Sequence, residues 1–172
     1  MVREMTDGSW TTYQLRRKLF SIGEDYWVED DQGRRAFKVD GKVLRIRETF
    51  VLQDPAGAER ATIATRLIAV RPTMTIERDG QVYATVKKAL FTLLRQHYTI
   101  SVRGAPDLEA EGNITNHEYE MRSYGQVVAN ISKRWFSIRD SYGVSIAPEQ
   151  DPVLVLAAAV CIDEMSEREH EH

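Results

Sequence analysis

The chain has 172 residues, 42% of them hydrophobic and 28% charged, with a net charge of -3 and one cysteine, Cys161. That length suits a single domain with its own core, and a lone cysteine excludes an intrachain disulfide and a thiolate zinc cluster. The opening "MVREMTDGSW" has no apolar run after its charges, so it does not read as a secretory signal, and the expectation is a cytoplasmic protein. Charge is unevenly distributed: residues 1–104 hold 18 Lys and Arg against 13 Asp and Glu, and residues 105–172 hold 5 against 13.

In chain order, one phrase recurs: one or two basic residues and then a short apolar run. "RKLFSI" begins at Arg17, "GKVLRI" at Gly41, "TRLIAV" at Thr65, "KKALFTLL" at Lys87 and "KRWFSI" at Lys133. Lys18, Lys42, Arg66 and Lys88 are separated by 24, 24 and 22 residues, a period that implies one supersecondary unit used repeatedly. Between the phrases stand pairs of alternating runs separated by turn residues. They are "YWVEDDQGRRAFKV" from Tyr26, "FVLQDPAGAERATIA" from Phe50, "MTIERDGQVYATV" from Met74, "YTISVRGAPDLEAEG" from Tyr98 and "YEMRSYGQVVANI" from Tyr119. A period of two flanked by Asp-Gly and similar turns predicts hairpins. With "FSIRDSYGVSIA" from Phe136 counted as a sixth, the chain should form about twelve strands. An antiparallel sheet of that size leaves no exposed edge only by closing, so a closed antiparallel barrel is expected.

The last element is "DPVLVLAAAVCIDEM", Asp151 to Met165. Asp151 suits an N-cap and Pro152 the first helical position, with Asp163 and Glu164 ending the apolar part. A helix from Pro152 to Met165 would be roughly 21 Å long at ~1.5 Å per residue, short of the ~30 Å hydrocarbon core of a bilayer. A helix apolar on every side must still be surrounded, and a barrel of about twelve strands is too wide for its own side chains to fill. Val153 to Ile162 should therefore plug the barrel and be its most buried segment.

The order "RRKLFSIGEDYWVEDDQGRRAFKVDGKVL", "IERDGQVYATVKK", "HEYEMRSYGQVVANISKRWFSIRDSYGVSIA" and "DPVLVLAAAVCID" closely resembles bacterial members of the LURP-one-related family, from about Tyr13 to Met165. The resemblance implies the tubby C-terminal-like fold, shared with tubby proteins and phospholipid scramblases: a twelve-stranded barrel around a central hydrophobic C-terminal helix. It also implies one domain over residues 13–165, with residues 1–12 and 166–172 as flexible termini. Tubby domains bind phosphoinositide head groups and scramblases act on phospholipids. The lysine and arginine pattern of the tubby head-group site has no secure counterpart in this sequence.

Neither a Gly-rich phosphate loop before a helix nor a nucleophile motif is present, so no enzymatic activity and no cofactor are expected. A surface reading uses the repeated basic residues: Arg45, Arg47, Arg66, Arg71, Lys87, Lys88 and Arg95 could hold the phosphates of anionic phospholipid. Lys87 and Lys88, beside the apolar "ALFTLL", are the strongest pair, although neighbours on a strand face opposite ways and the repeat could place lysines for structural reasons alone. The segment from Asp140 occupies the place of the scramblase calcium segment but offers only Asp140, Glu149 and Asp151, too few oxygens for calcium. His97, His117, His170 and His172 are scattered, and no metal site is expected. The functional expectation is a binding or scaffold module at the membrane surface, with anionic phospholipid or a protein as partner. A carrier of an apolar ligand between barrel and helix is the alternative. Nucleic-acid binding by the basic first part comes third, since the pI of 5.8 argues against it.

Overall fold

In a computed structural model, the structure describes residues 9–16, 26–43, 48–66, 71–90, 95–113, 116–132 and 141–170. Twelve strands precede one helix. The first six are β1 (Thr11–Arg16), β2 (Tyr26–Asp30), β3 (Arg35–Val43), β4 (Glu48–Gln53), β5 (Glu59–Thr65) and β6 (Thr73–Arg78). They continue with β7 (Gln81–Lys88), β8 (Gln96–Val102), β9 (Leu108–Asn113), β10 (Glu118–Ser123), β11 (Gln126–Ser132) and β12 (Ser141–Ile146), and α1 spans Pro152–His170. Each strand pairs antiparallel with its sequence neighbours, and β1 pairs with β12 to close the barrel.

The turns explain the period. Asp30 and Asp54 stand 24 residues apart and build the same turn: Asp30 Oδ1 accepts from the N–H groups of Gln32 and Arg34, and Asp54 Oδ1 from those of Ala56 and Ala58. The third hairpin turns instead on two residues, Asp79 and Gly80, both at positive φ as a tight hairpin turn requires. That shorter turn accounts for the step of 22 from Arg66 to Lys88.

Along the strands, apolar side chains alternate inward. β9, "LEAEGN", buries Leu108, Ala110 and Gly112 and exposes Glu109, Glu111 and Asn113. Gly112 has φ +150, and a Cβ there would lie 2.5 Å from the Glu118 carbonyl oxygen and 2.7 Å from Tyr119. Only glycine lets β9 and β10 approach so closely at this point.

The helix occupies the interior. Every residue from Val153 to Ser166 is buried, and Val155 through Ala159 are fully so. Asp151 Oδ1 accepts from the Val153 N–H at 3.0 Å, as an N-cap should, while its other oxygen pairs with Arg78 at the end of β6. The Arg78 guanidinium also lies over the Tyr83 ring.

Two expectations change in detail. The twelfth strand comes from Thr11–Arg16, which pairs with β12, rather than from a sixth hairpin: the described part of "FSIRDSYGVSIA" is the single strand β12, and its first five residues lie outside the described residues. The helix continues beyond Met165 to His170. Asp163 and Glu164 end the apolar part as expected, and with Ser166 they are buried, 3%, 8% and 5% exposed. The described elements run from Thr11 to His170.

Candidate functional site

An up-and-down barrel has two unlike ends. Hairpin turns lie at one; the strand ends that lead from β1 to β2, β3 to β4 and so on lie at the other, the connector end. The described residues that join strands at the connector end hold three Arg and Lys against no Asp or Glu. The hairpin turns and the stretch before α1 carry two against six. Arg66, Lys87 and Lys88, from two successive copies of the repeated basic phrase, thus come to the same end of the barrel, because each stands where a strand leaves it.

Of the seven expected basic residues, Arg45 and Arg47 lie outside the described residues. The other five share the connector end, on neighbouring strands. The Arg66 N–H donates to the Thr73 carbonyl at 3.0 Å, the Lys88 N–H to that of Pro72 at 3.3 Å, and the Ala89 N–H to that of His97 at 2.9 Å. These bonds set Arg66, Arg71, Lys87, Lys88 and Arg95 along one arc of the rim. Arg66, Arg71, Lys87 and Arg95 are exposed, and beside them Leu90 is a large apolar side chain 49% exposed.

The arc is not uniform. Lys87 is exposed, whereas Lys88 follows Ala84 and Val86 on the inward-facing side of β7 and is half-buried at the mouth. Arg95 turns toward β9, its guanidinium 3.5 Å from Glu111. It edges a polar groove of about 400 Å³ on the outside of β9 to β11, lined also by Glu118, Glu120, Asn130 and Ser132. Ser132 Oγ donates to the Glu118 carboxylate at 3.0 Å, and Arg122 pairs with Glu120 at 2.5 Å, which offsets the like charge of Glu111 directly across the ladder. The free positive potential of the described rim therefore centres on Arg66, Arg71 and Lys87.

Just inside the mouth lies a polar cluster that sequence reasoning missed. His117 Nε2 is 2.5 Å from Asp163 Oδ1, both side chains are 3% exposed, and the imidazole stacks on Tyr142 with ring centroids 4.2 Å apart. His117 takes a positive φ of 52, which turns the chain into β10 and aims the ring inward. Tyr119 is buried nearby, and burial first, then the charge of Asp163, pushes its phenol well above the usual range. Burial likewise pushes the Cys161 thiol up, which makes it inert as a nucleophile. The available signal was Asp163 itself, a carboxylate directly after a run that had to be enclosed.

The other candidates have structural duties, are exposed, or lie outside the described residues. Asp151 caps α1, Glu149 is exposed, and Asp140 lies outside the described residues. His170 lies on the last turn of α1, and His172 is outside the described residues. Among the described residues no three His, Cys, Asp or Glu side chains converge as metal ligands, and no helix is long and apolar enough to cross a membrane.

Comparison with known proteins fits this architecture. The chain is 26% identical over 149 residues to the protein YxjI of Bacillus subtilis (strain 168), covering 87% of this chain and 90% of that one. The X-ray structure of a protein from Arabidopsis thaliana superposes with a TM-score of 0.68 over 92% of both chains at 16% identity, a likeness of fold. The family model described as LURP-one-related matches residues 11–163, from the first residue of β1 to the aspartate that meets His117. With nearly the whole chain matched and the closed, helix-filled barrel in place, this protein belongs to the LURP-one-related family.

Proposed function

We propose that this chain is a non-enzymatic binding module that sets the connector end of its barrel against an anionic phospholipid surface. The observation that carries the reading is the arc of exposed Arg66, Arg71 and Lys87 with Leu90 beside them, at one end of the barrel. Guanidinium and ammonium groups pair with lipid phosphates, and an exposed leucine among them can enter the interface. The helix already occupies the barrel interior, so a carrier of apolar ligands has no comparable observation in its favour.

Co-sedimentation with phosphatidylcholine vesicles, with and without phosphatidylserine, tests the reading. Binding should require the anionic lipid and weaken as salt rises. At about 1 kcal/mol per basic residue at an anionic surface, the combined Arg66→Gln, Arg71→Gln and Lys87→Gln variant should bind about a hundredfold more weakly. Absence of binding to anionic vesicles even at low salt would overturn the proposal.

A further inference from the structure

The polar cluster at the connector mouth extends deeper into the barrel than the contact of His117 with Asp163. The ladder registers pair Gln96 of β8 with Gly112 of β9, and Gly112 with Tyr119 of β10, which sets the three in one inward-facing row. At ~4.8 Å per strand spacing, the backbones of Gln96 and Tyr119 stand about 10 Å apart. Gly112 contributes no side chain between them, and Ala110, in the next row down, contributes only a methyl group. His117 lies two residues before Tyr119, nearer the mouth.

Three enclosed atoms of this region have no hydrogen-bond partner among the described residues: Gln96 Oε1, Tyr119 Oη and His117 Nδ1. His117 and Tyr119 are 3% and 4% exposed, so bulk solvent does not reach them. Folded proteins leave few such atoms unpaired, because each would keep the full cost of its desolvation. Their chemistry is complementary. Gln96 Oε1 is an acceptor, and with the His117 proton on Nε2, where Asp163 accepts it, Nδ1 is an acceptor too. Burial first, then the charge of Asp163, keeps the Tyr119 phenol protonated, so its O–H is a donor. Two acceptors and one donor suit a water molecule, which gives two hydrogens and receives at its lone pairs. An anion would face two acceptors and Asp163, and among the described residues no three His, Cys, Asp or Glu side chains gather to hold a metal ion.

We propose that Gln96, Tyr119 and His117 hold an internal water site just inside the connector mouth, which joins β8 to β10 across Gly112 beside Asp163 of α1. The water fills the one stretch of this row where β9 supplies no side chain, and it completes the hydrogen bonding of the groups that meet the helix there. The site belongs to the interior and not to the rim, so it stands whether or not the rim binds lipid.

Two measurements on the full chain test this. A crystal structure at a resolution that orders internal waters should place a water about 2.6–3.2 Å from Tyr119 Oη and from Gln96 Oε1, with His117 Nδ1 reached by the same water or by one in contact with it. A dry site, or a protein group in the water's place, would overturn the proposal. In solution near neutral pH, Tyr119→Phe keeps the ring and gives opposite signs for a wet and a dry site. If the hydroxyl binds water, its loss should raise the unfolding constant in urea about fivefold; if it is unpaired, its removal should lower that constant. An unchanged or lowered constant would therefore overturn the site. Gln96→Met, of similar volume, should also raise the constant, and the double variant should fall short of the product of the two effects, because either substitution already takes a partner from the shared water. A double variant equal to that product would show two separate environments and overturn the bridge.

Discussion

Leu156 sits at the middle of the buried run of α1 and is fully enclosed, with Val155 and Ala157 beside it equally so. Truncation to alanine removes three carbons, worth about 2.4 kcal/mol at roughly 0.8 kcal/mol per buried methylene. The cavity left behind adds to this, and measured buried Leu→Ala costs span about 2.7–5.0 kcal/mol. A wall whose twelve strands are hydrogen-bonded in a ring can collapse little, which places Leu156→Ala in the upper half of that range. Leu156→Asp adds a carboxyl group in the same place. Keeping it neutral by raising its pKa some 3–5 units costs about 4–7 kcal/mol more. The total reaches the whole stability of an ordinary domain, about 5–15 kcal/mol. Leu156→Met, which conserves volume, should cost less than about 1.5 kcal/mol. Urea unfolding followed by tryptophan fluorescence should rank the variants Met, Ala, Asp, with Asp unfolded or insoluble. A soluble, folded Leu156→Asp protein with the parent's midpoint would refute the enclosed helix.

Three further predictions address the fold around the site. Gly112→Ala forces a Cβ against the β10 backbone at a φ that other residues avoid, and should lower stability by about 2–5 kcal/mol in the same urea assay; an unchanged midpoint would mean that β9 and β10 are farther apart. His117→Ala takes the imidazole from buried Asp163 and should cost about 3–5 kcal/mol, whereas His117→Phe combined with Asp163→Leu should recover much of the loss; equal losses for both would show that the pair is not coupled. Stability should also fall in alkali. Tyr119 and Cys161 have folded-state pKa values raised above their unfolded ones, so their contribution is complete below about pH 8.5 and is lost as pH rises through the thiol and phenol range. Tyr119→Phe should flatten this dependence between pH 8 and 11, and an unaltered slope would contradict it.

Much of the architecture is legible in local patterns. The helix is visible because ten consecutive residues, Val153 to Ile162, leave no polar face except Cys161, and that can only mean enclosure from all sides. The hairpins are visible because Asp30, Asp54 and Asp79 each begin a turn between alternating runs. β1 is not, because "TTYQLR" offers only Tyr13 and Leu15 to the interior and gains its identity from pairing with β12, some 130 residues away. The rim is half legible. That Arg66, Arg71 and Lys87 would gather follows from the period, because each repeat ends at the same end of the barrel. That Arg95 would turn to Glu111 depends on the β8–β9 register, and that His117 would reach Asp163 depends on where a helix 46 residues later passes the start of β10. Contacts made across such separations leave no periodic trace.

Cys161 is buried, so a cysteine introduced at the surface can be labelled selectively in the native protein. An environment-sensitive dye at Leu90→Cys would report on the connector rim, and one at Tyr124→Cys, on the exposed tip between β10 and β11, on the opposite end. On addition of phosphatidylserine vesicles at low salt, the label at position 90 should shift to the emission of an apolar environment while that at position 124 stays unchanged. A shift at 124, or none at 90, would contradict the claim that this barrel meets anionic lipid with its connector end.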